Sequence, residues 1–183
     1  MQDSEALFGR FVHNYHGMSL TTTNEAWASE ISIMQKALQP WGDEDYGYVI
    51  FEYDIPRLGK RIDAVVLLRG LIFCIEFKVG ERDMLQSNIE QVLDYALDLK
   101  NFHLLSQYRT IVPILVPTLF RATSSLFTPS VYDDSIYNPL VTGAEGLSQL
   151  IADVLSHAGA TVPRSELGSR LGDKSLFAYA NYY

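Results

Sequence analysis

The stretch that most constrains the fold is "RIDAVVLLRGLIFCIEFKVG", residues 61–80. Two apolar, β-branched runs meet at Arg69-Gly70. So short a connection leaves no room for a crossover, which predicts an antiparallel hairpin. Side chains alternate across a strand, so Glu76 and Lys78 emerge on one face of the second run. Asp63 stands at the entrance of the first run, and the hairpin carries it towards Glu76. Two charges at the end of an oily strand, with a third opposite, ask for a reason.

The neighbouring segments predict what surrounds the hairpin. Trp27, Ile31, Met34 and Leu38 recur at helical spacing and predict a helix over about 25–39, with Thr23 or Asn24 as its N-cap and Pro40 and Gly42 ending it. Glu30 falls on or beside that apolar stripe, either as an edge carboxylate in an ion pair or as one turned inward for chemistry. "YGYVIFEYDIP", residues 46–56, reads as a strand. After the hairpin, Leu85, Ile89, Val92, Ala96 and Leu99 mark the packed face of a second helix, and Gln91 and Tyr95, four apart, share a face beside it. "TIVPILVPT" reads as a fourth strand. Its Pro113 donates no ladder hydrogen bond, so that position lies at an edge or bulge, or the strand is shorter. "GLSQLIADVLSHA" is a helix with Leu147, Leu150, Ile151, Val154 and Leu155 inward. The order α-β-β-β-α-β-α predicts an α/β three-layer sandwich, a central mixed four-stranded sheet flanked by helices.

Composition narrows the class. The 183 residues suit one domain, 1–183, with its core at about 25–158 and a tail, 159–183, that carries little signal. Hydrophobic residues make up 48% and charged residues 20%, a globular balance. No run approaches the ~20 apolar residues of a membrane span, and the N-terminus lacks the pattern of a signal peptide. The single cysteine, Cys74, reads as a small core residue, and the expected compartment is a reducing cytoplasm. A net charge of −8 is the wrong sign for a nucleic-acid partner unless a local basic rim offsets it. Arg57, Lys60 and Arg61 lead into Asp63, and Lys78 and Arg82 follow the second run, so such a rim is expected there.

Asp63, Glu76 and Lys78 form the strongest constellation. A hard divalent cation takes oxygen ligands, commonly one or two carboxylates plus waters. Asp63 and Glu76 are candidates for those two. Lys78 on the same face would orient or deprotonate an attacking water, or stabilise charge on a phosphate. The competing reading is a cross-strand charge set that serves only structure, which is common on strands.

Asp63 followed at a hairpin's distance by Glu76-x-Lys78 resembles the PD-(D/E)XK nuclease signature. Gln91 with Tyr95 matches the helix that follows in that superfamily, and Glu30 matches the acidic residue of the preceding helix. The proline usual before the aspartate is replaced by Arg61-Ile62. "FEYDIPRLGKRIDAVVLL", "IEFKVG" and "QVLDYALDLKNFH" further resemble the nuclease-like N-terminal region of bacterial proteins that carry a superfamily 1 helicase-type ATPase. The resemblance spans about 25–118. It implies a restriction-endonuclease-like fold and cleavage of nucleic acid, DNA before RNA, dependent on Mg²⁺ or Mn²⁺. It also implies Asp63 and Glu76 as metal ligands, Lys78 at the nucleophile, and Glu30 and Gln91 in support; beside these, Arg57, Lys60, Arg61, Arg82 and Tyr95 are expected towards the nucleic acid. Defence or repair would be the setting.

A second reading is a non-catalytic nucleic-acid-binding or assembly module working with a helicase-type ATPase in cis or in trans, or as a homo-oligomer. A third is a scaffold in which the charges are structural. The chain's nearest approach to a phosphate-binding loop, "GSRLGDKS" at 168–175, has the wrong spacing and an Asp where backbone must meet phosphate. His13, His16, His103 and His157 are expected at the surface, Asp133 and Asp134 in a loop, and Asp94 and Asp98 on a solvated helix face.

Overall fold

The computed structural model describes residues 20–41, 47–55, 58–104, 106–124, 127–128 and 135–161, with backbone alone at 20–24 and 160–161. Arg57, Tyr46, His13, His16, Gly42, Asp133, Asp134 and 168–175 lie outside the described residues.

The hairpin forms as expected. β2 (Lys60–Leu68) and β3 (Leu71–Lys78) pair antiparallel from Leu68↔Leu71 to Ala64↔Ile75. Arg69 and Gly70 close it with φ of 48° and 85°, the left-handed pair that a two-residue hairpin turn demands. β1 (Gly47–Ile55) flanks β2 antiparallel, and β4 (Ile111–Pro117) flanks β3 in parallel. α2 (Gln86–Phe102) makes the crossover between those two parallel strands, as a parallel connection requires. The sheet has five strands, not four. A two-residue β5 (Leu140–Val141) pairs with β4, giving the order β1-β2-β3-β4-β5. So short a strand leaves almost no periodicity to read.

Helices cover both faces. α1 (Leu20–Leu38) and α3 (Leu147–Thr161) lie on one, where Met34, Ala37, Leu147, Leu150, Ile151 and Val154 pack on Phe73, Ile75, Val112 and Ile114. α2 covers the other, where Val92, Ala96 and Leu99 meet Ile72, Cys74, Ile111 and Leu115. Among the described residues no helix is long and apolar enough to cross a membrane.

Three local expectations change. α1 starts at Leu20, so Thr23 and Asn24 lie inside it and do not cap it; capping preference is a local bias that a continuing helix overrides. Leu85 is the N-cap residue of α2 and is 52% exposed, because its extended backbone (ψ 139°) takes it off the helical stripe. Pro113 stays within β4. Ser135 and Tyr137 exchange hydrogen bonds with Ile111, and pairing on that side resumes at Ile114↔Leu140. Pro113 thus falls where the ladder with the last segment is interrupted.

The β1–β2 arm has an unusual break. Phe51 packs with the α1/α3 core, yet Tyr53 and Ile55 belong to the α2 core. Opposite them, Ala64 lies in the first core and Ile62 in the second. Residues two apart should share a face. The swap occurs at Glu52, whose φ of 53° is left-handed, and at Asp63 across from it, the one position missing between Phe51↔Ala64 and Tyr53↔Ile62.

Gly143 anchors the start of the last helical segment. A Cβ there would sit 1.8 Å from the Phe120 carbonyl oxygen, a backbone atom that cannot give way. Gly143→Ala is expected to cost on the order of 2–4 kcal/mol in urea unfolding. Gly159→Ala, with nothing within 4 Å of the new Cβ, should be neutral or stabilise by up to about 1 kcal/mol.

Candidate metal and catalytic site

β2 and β3 part company after Ala64↔Ile75. One residue further on, Asp63 and Glu76 stand opposite each other in a notch. Asp63 takes over from the ladder, since Phe77 N–H donates to its Oδ2 at 2.8 Å. β3 continues along β4 as far as Lys78↔Pro117, while β2 continues along β1 to Ile55↔Lys60. The two halves of the sheet therefore splay at this point, and the side chains of Asp63 and Glu76 are left between them.

Alternation puts Lys78 beside Glu76, and its Nζ donates to Glu76 Oε1 at 2.9 Å and to Gln91 Oε1 at 3.0 Å. Gln91 Nε2 in turn donates to the Tyr95 hydroxyl oxygen at 2.7 Å. The helical spacing read from the sequence thus serves to fix Lys78 from behind. Tyr95, expected at a nucleic-acid surface, is only 9% exposed and acts here as the far end of this chain. Burial alone would lower the Lys78 pKa, but its hydrogen bond to Glu76 and the nearby carboxylate charge outweigh burial and hold it above the ordinary lysine range. Lys78 is therefore an ammonium. In that state it suits orienting a water or stabilising charge on a phosphate.

The carboxylates are the opposite case. Glu76 is 4% exposed, and burial together with the Asp63 charge pushes it up to about 7. Burial also raises Asp63 against the lowering effect of the Phe77 N–H bond. Glu30, 7% exposed on α1, is pushed up to about 8 by burial and by the charges of Asp63, Glu52 and Glu76. It is the inward carboxylate of the two readings. With both groups ionised, Glu76 Oε2 is buried and finds no donor. A proton shared between Asp63 and Glu76, or a cation between them, resolves this. The donor set fits a small hard cation held by two carboxylates with water completing the shell. Among the described residues no group of three or more His, Cys, Asp and Glu side chains forms a fuller cage.

Glu52 was not singled out in the sequence. It lines a recess with Trp27, Glu30, Ile31 and Phe51. Trp27 Nε1–H donates to its Oε1 at 2.8 Å, and its Oε2 pairs with Arg61 Nε. Burial raises its pKa, against the lowering effects of Arg61 and Trp27. Only its left-handed backbone turns this side chain to the notch, and nothing in "IFEYD" announces that.

The expected basic rim is partly committed elsewhere. Lys60 Nζ pairs with Asp98 of α2 at 2.9 Å, so Asp98 is not a purely solvated charge. Arg61 pairs with Glu52. Arg82 is exposed on the loop after β3. His103 is half-buried and shares a 2.6 Å hydrogen bond with the buried Ser106, which makes it a turn element and not a free surface histidine.

Raised carboxyl pKa values have a consequence for stability. A carboxyl of about 8 in the folded state and near 4.5 unfolded binds its proton more tightly when folded. The stabilisation is full below about pH 4.5 and is lost as pH rises towards 8. Without divalent cations the protein should lose on the order of a few kcal/mol between pH 5.5 and 8 by urea unfolding. Glu30→Gln should remove part of that slope, the rest belonging to Glu76, Asp63 and Glu52, and an unchanged slope would show that Glu30 is ionised at low cost.

Comparison with known proteins finds no matching family model, no matching curated protein and no matching solved structure.

Proposed function

We propose that this chain is a metal-dependent nuclease that hydrolyses phosphodiester bonds in nucleic acid. The observation that carries the reading is the notch itself. A buried carboxylate, Glu76, with a donorless oxygen, faces a half-buried one, Asp63, and a fixed ammonium, Lys78, lies 2.9 Å from Glu76. A structural ion cluster has no use for two adjacent acids whose burial is so poorly offset.

In this reading Asp63 and Glu76 hold Mg²⁺ or Mn²⁺, which supplies a water of lowered pKa and polarises the phosphodiester. Lys78 donates hydrogen bonds to the attacking water or to a phosphate oxygen, steadying the charge that develops there. Gln91 positions Lys78, and Tyr95 positions Gln91. Glu30 lies close enough to feel both carboxylates and completes the acidic wall on the α1 side. The resemblance favours DNA over RNA, a restriction-endonuclease-like fold, and a setting in defence or repair, and the lone buried Cys74 suits a reducing cytoplasm.

The purified protein is expected to cleave DNA or RNA with Mg²⁺ or Mn²⁺ and to stop on adding EDTA. Asp63→Asn and Lys78→Ala should each reduce cleavage by at least about a hundredfold. Gln91→Ala should reduce it by roughly tenfold, because it acts through Lys78. Wild-type rates in the Asp63 and Lys78 variants would overturn the assignment. Salt-sensitive binding with no cleavage under any metal would favour the non-catalytic module.

A further inference from the structure

Glu52 and Arg61 make an ion pair at the mouth of the proposed site, and three features set it apart from an ordinary cross-strand pair. Glu52 occupies a left-handed backbone position, φ 53°, that non-glycine residues seldom adopt. Its Oε1 is pinned by the Trp27 indole N–H at 2.8 Å, which leaves Oε2 turned to Arg61 Nε. The pair is also asymmetric in exposure: the Glu52 side chain is 12% exposed, whereas that of Arg61 is 36%. The acid is anchored and the guanidinium reaches solvent.

Arg61 sits two residues from Asp63, and its charge is felt by Glu30, Glu52 and Asp63 alike. A guanidinium in that place is the natural partner for a phosphate of a bound strand, since its planar fork matches phosphate as well as carboxylate. Glu52 offers it a carboxylate instead. We propose that Glu52 is an intramolecular phosphate mimic that occupies Arg61 in the free protein and is displaced by a backbone phosphate when nucleic acid binds. This rests on the reading of the chain as a nucleic-acid enzyme. Glu52 thereby sets how strongly a phosphate must compete to engage Arg61, and a chain of net charge −8 gains a gate against weak, indiscriminate polyanion binding.

The test uses binding, not cleavage. Affinity for labelled duplex and single-stranded oligonucleotides is measured in EDTA across a salt series. Glu52→Gln keeps an oxygen for Trp27 but loses the charge that holds Arg61. It should bind about threefold to tenfold more tightly, because no carboxylate has to be displaced, while its slope of log K against log salt stays close to that of the wild type, since both make the same phosphate contacts once bound. Arg61→Gln should be shallower than wild type, and adding Glu52→Gln to it should change nothing. If Glu52→Gln folds poorly by circular dichroism, Glu52→Asp makes the same test, since the shorter arm loosens the pair and should raise affinity in the same direction. An unchanged affinity in the Glu52 variant, or an equal gain with Arg61 absent, overturns the proposal. Absence of any salt-dependent binding by the wild type would instead overturn the nuclease reading beneath it.

Discussion

The hydrogen bond from Phe77 N–H to Asp63 is the contact on which the rest of the notch depends. A hairpin as apolar as β2–β3 has every reason to keep pairing to its end. Instead the ladder stops at Ala64↔Ile75, and a side-chain carboxylate satisfies the next main-chain donor. A backbone N–H in so buried a place cannot go without an acceptor. Asp63 therefore lets the strands separate without that penalty, and the separation makes room for two carboxyls where a continuous sheet would place packed side chains. The same residue is thus a structural acceptor through Oδ2 and a candidate ligand at the notch. An Asn in its place would keep an acceptor oxygen for Phe77 while losing the charge, so structure and chemistry at this position can be separated.

The price of the arrangement is electrostatic. Glu30, Glu52, Asp63 and Glu76 converge, and the pKa of each is raised with burial as the leading cause. Two cations, Arg61 and Lys78, answer them. Folds rarely keep such an imbalance in their interior, and where they do the site commonly has a use for it. The strained Glu52 belongs to the same pattern, because its φ swaps the faces of the β1–β2 arm and so brings the α1 side and the α2 side of the sheet together at one point.

How much of this was legible in the sequence varied with the kind of signal. The hairpin, the crossover helix and the β3 face were readable because alternation and helical spacing are strong periodic signals, and they placed Asp63, Glu76, Lys78, Gln91 and Tyr95 correctly relative to one another. What escaped was set by tertiary contacts. β5 has two residues and no period. Leu85 looks like a stripe residue until its backbone turns out to be extended. Glu52 reads as one more outward residue on an alternating strand, because a left-handed φ in a glutamate leaves no trace in composition. Lys60 and Arg61 looked like free rim charges, since the partners that engage them, Asp98 and Glu52, come from α2 and β1.

Donor and acceptor logic carries the site one step further. Lys78 has no acceptor, so both of its contacts oblige the partner atoms to be oxygens, Glu76 Oε1 and Gln91 Oε1. With its oxygen committed, Gln91 can only turn its amide N–H towards Tyr95, as it does. The orientation of the whole chain is then dictated from the ammonium outward, with no freedom to flip the amide. Among the described residues these contacts engage two of the three N–H groups of Lys78. The third is not spent on holding the relay together, and it belongs to the side chain nearest the two carboxyls. A reacting phosphate or water would meet a donor whose position is fixed from two directions, which is the preorganisation that makes a charge effective in a site of low dielectric.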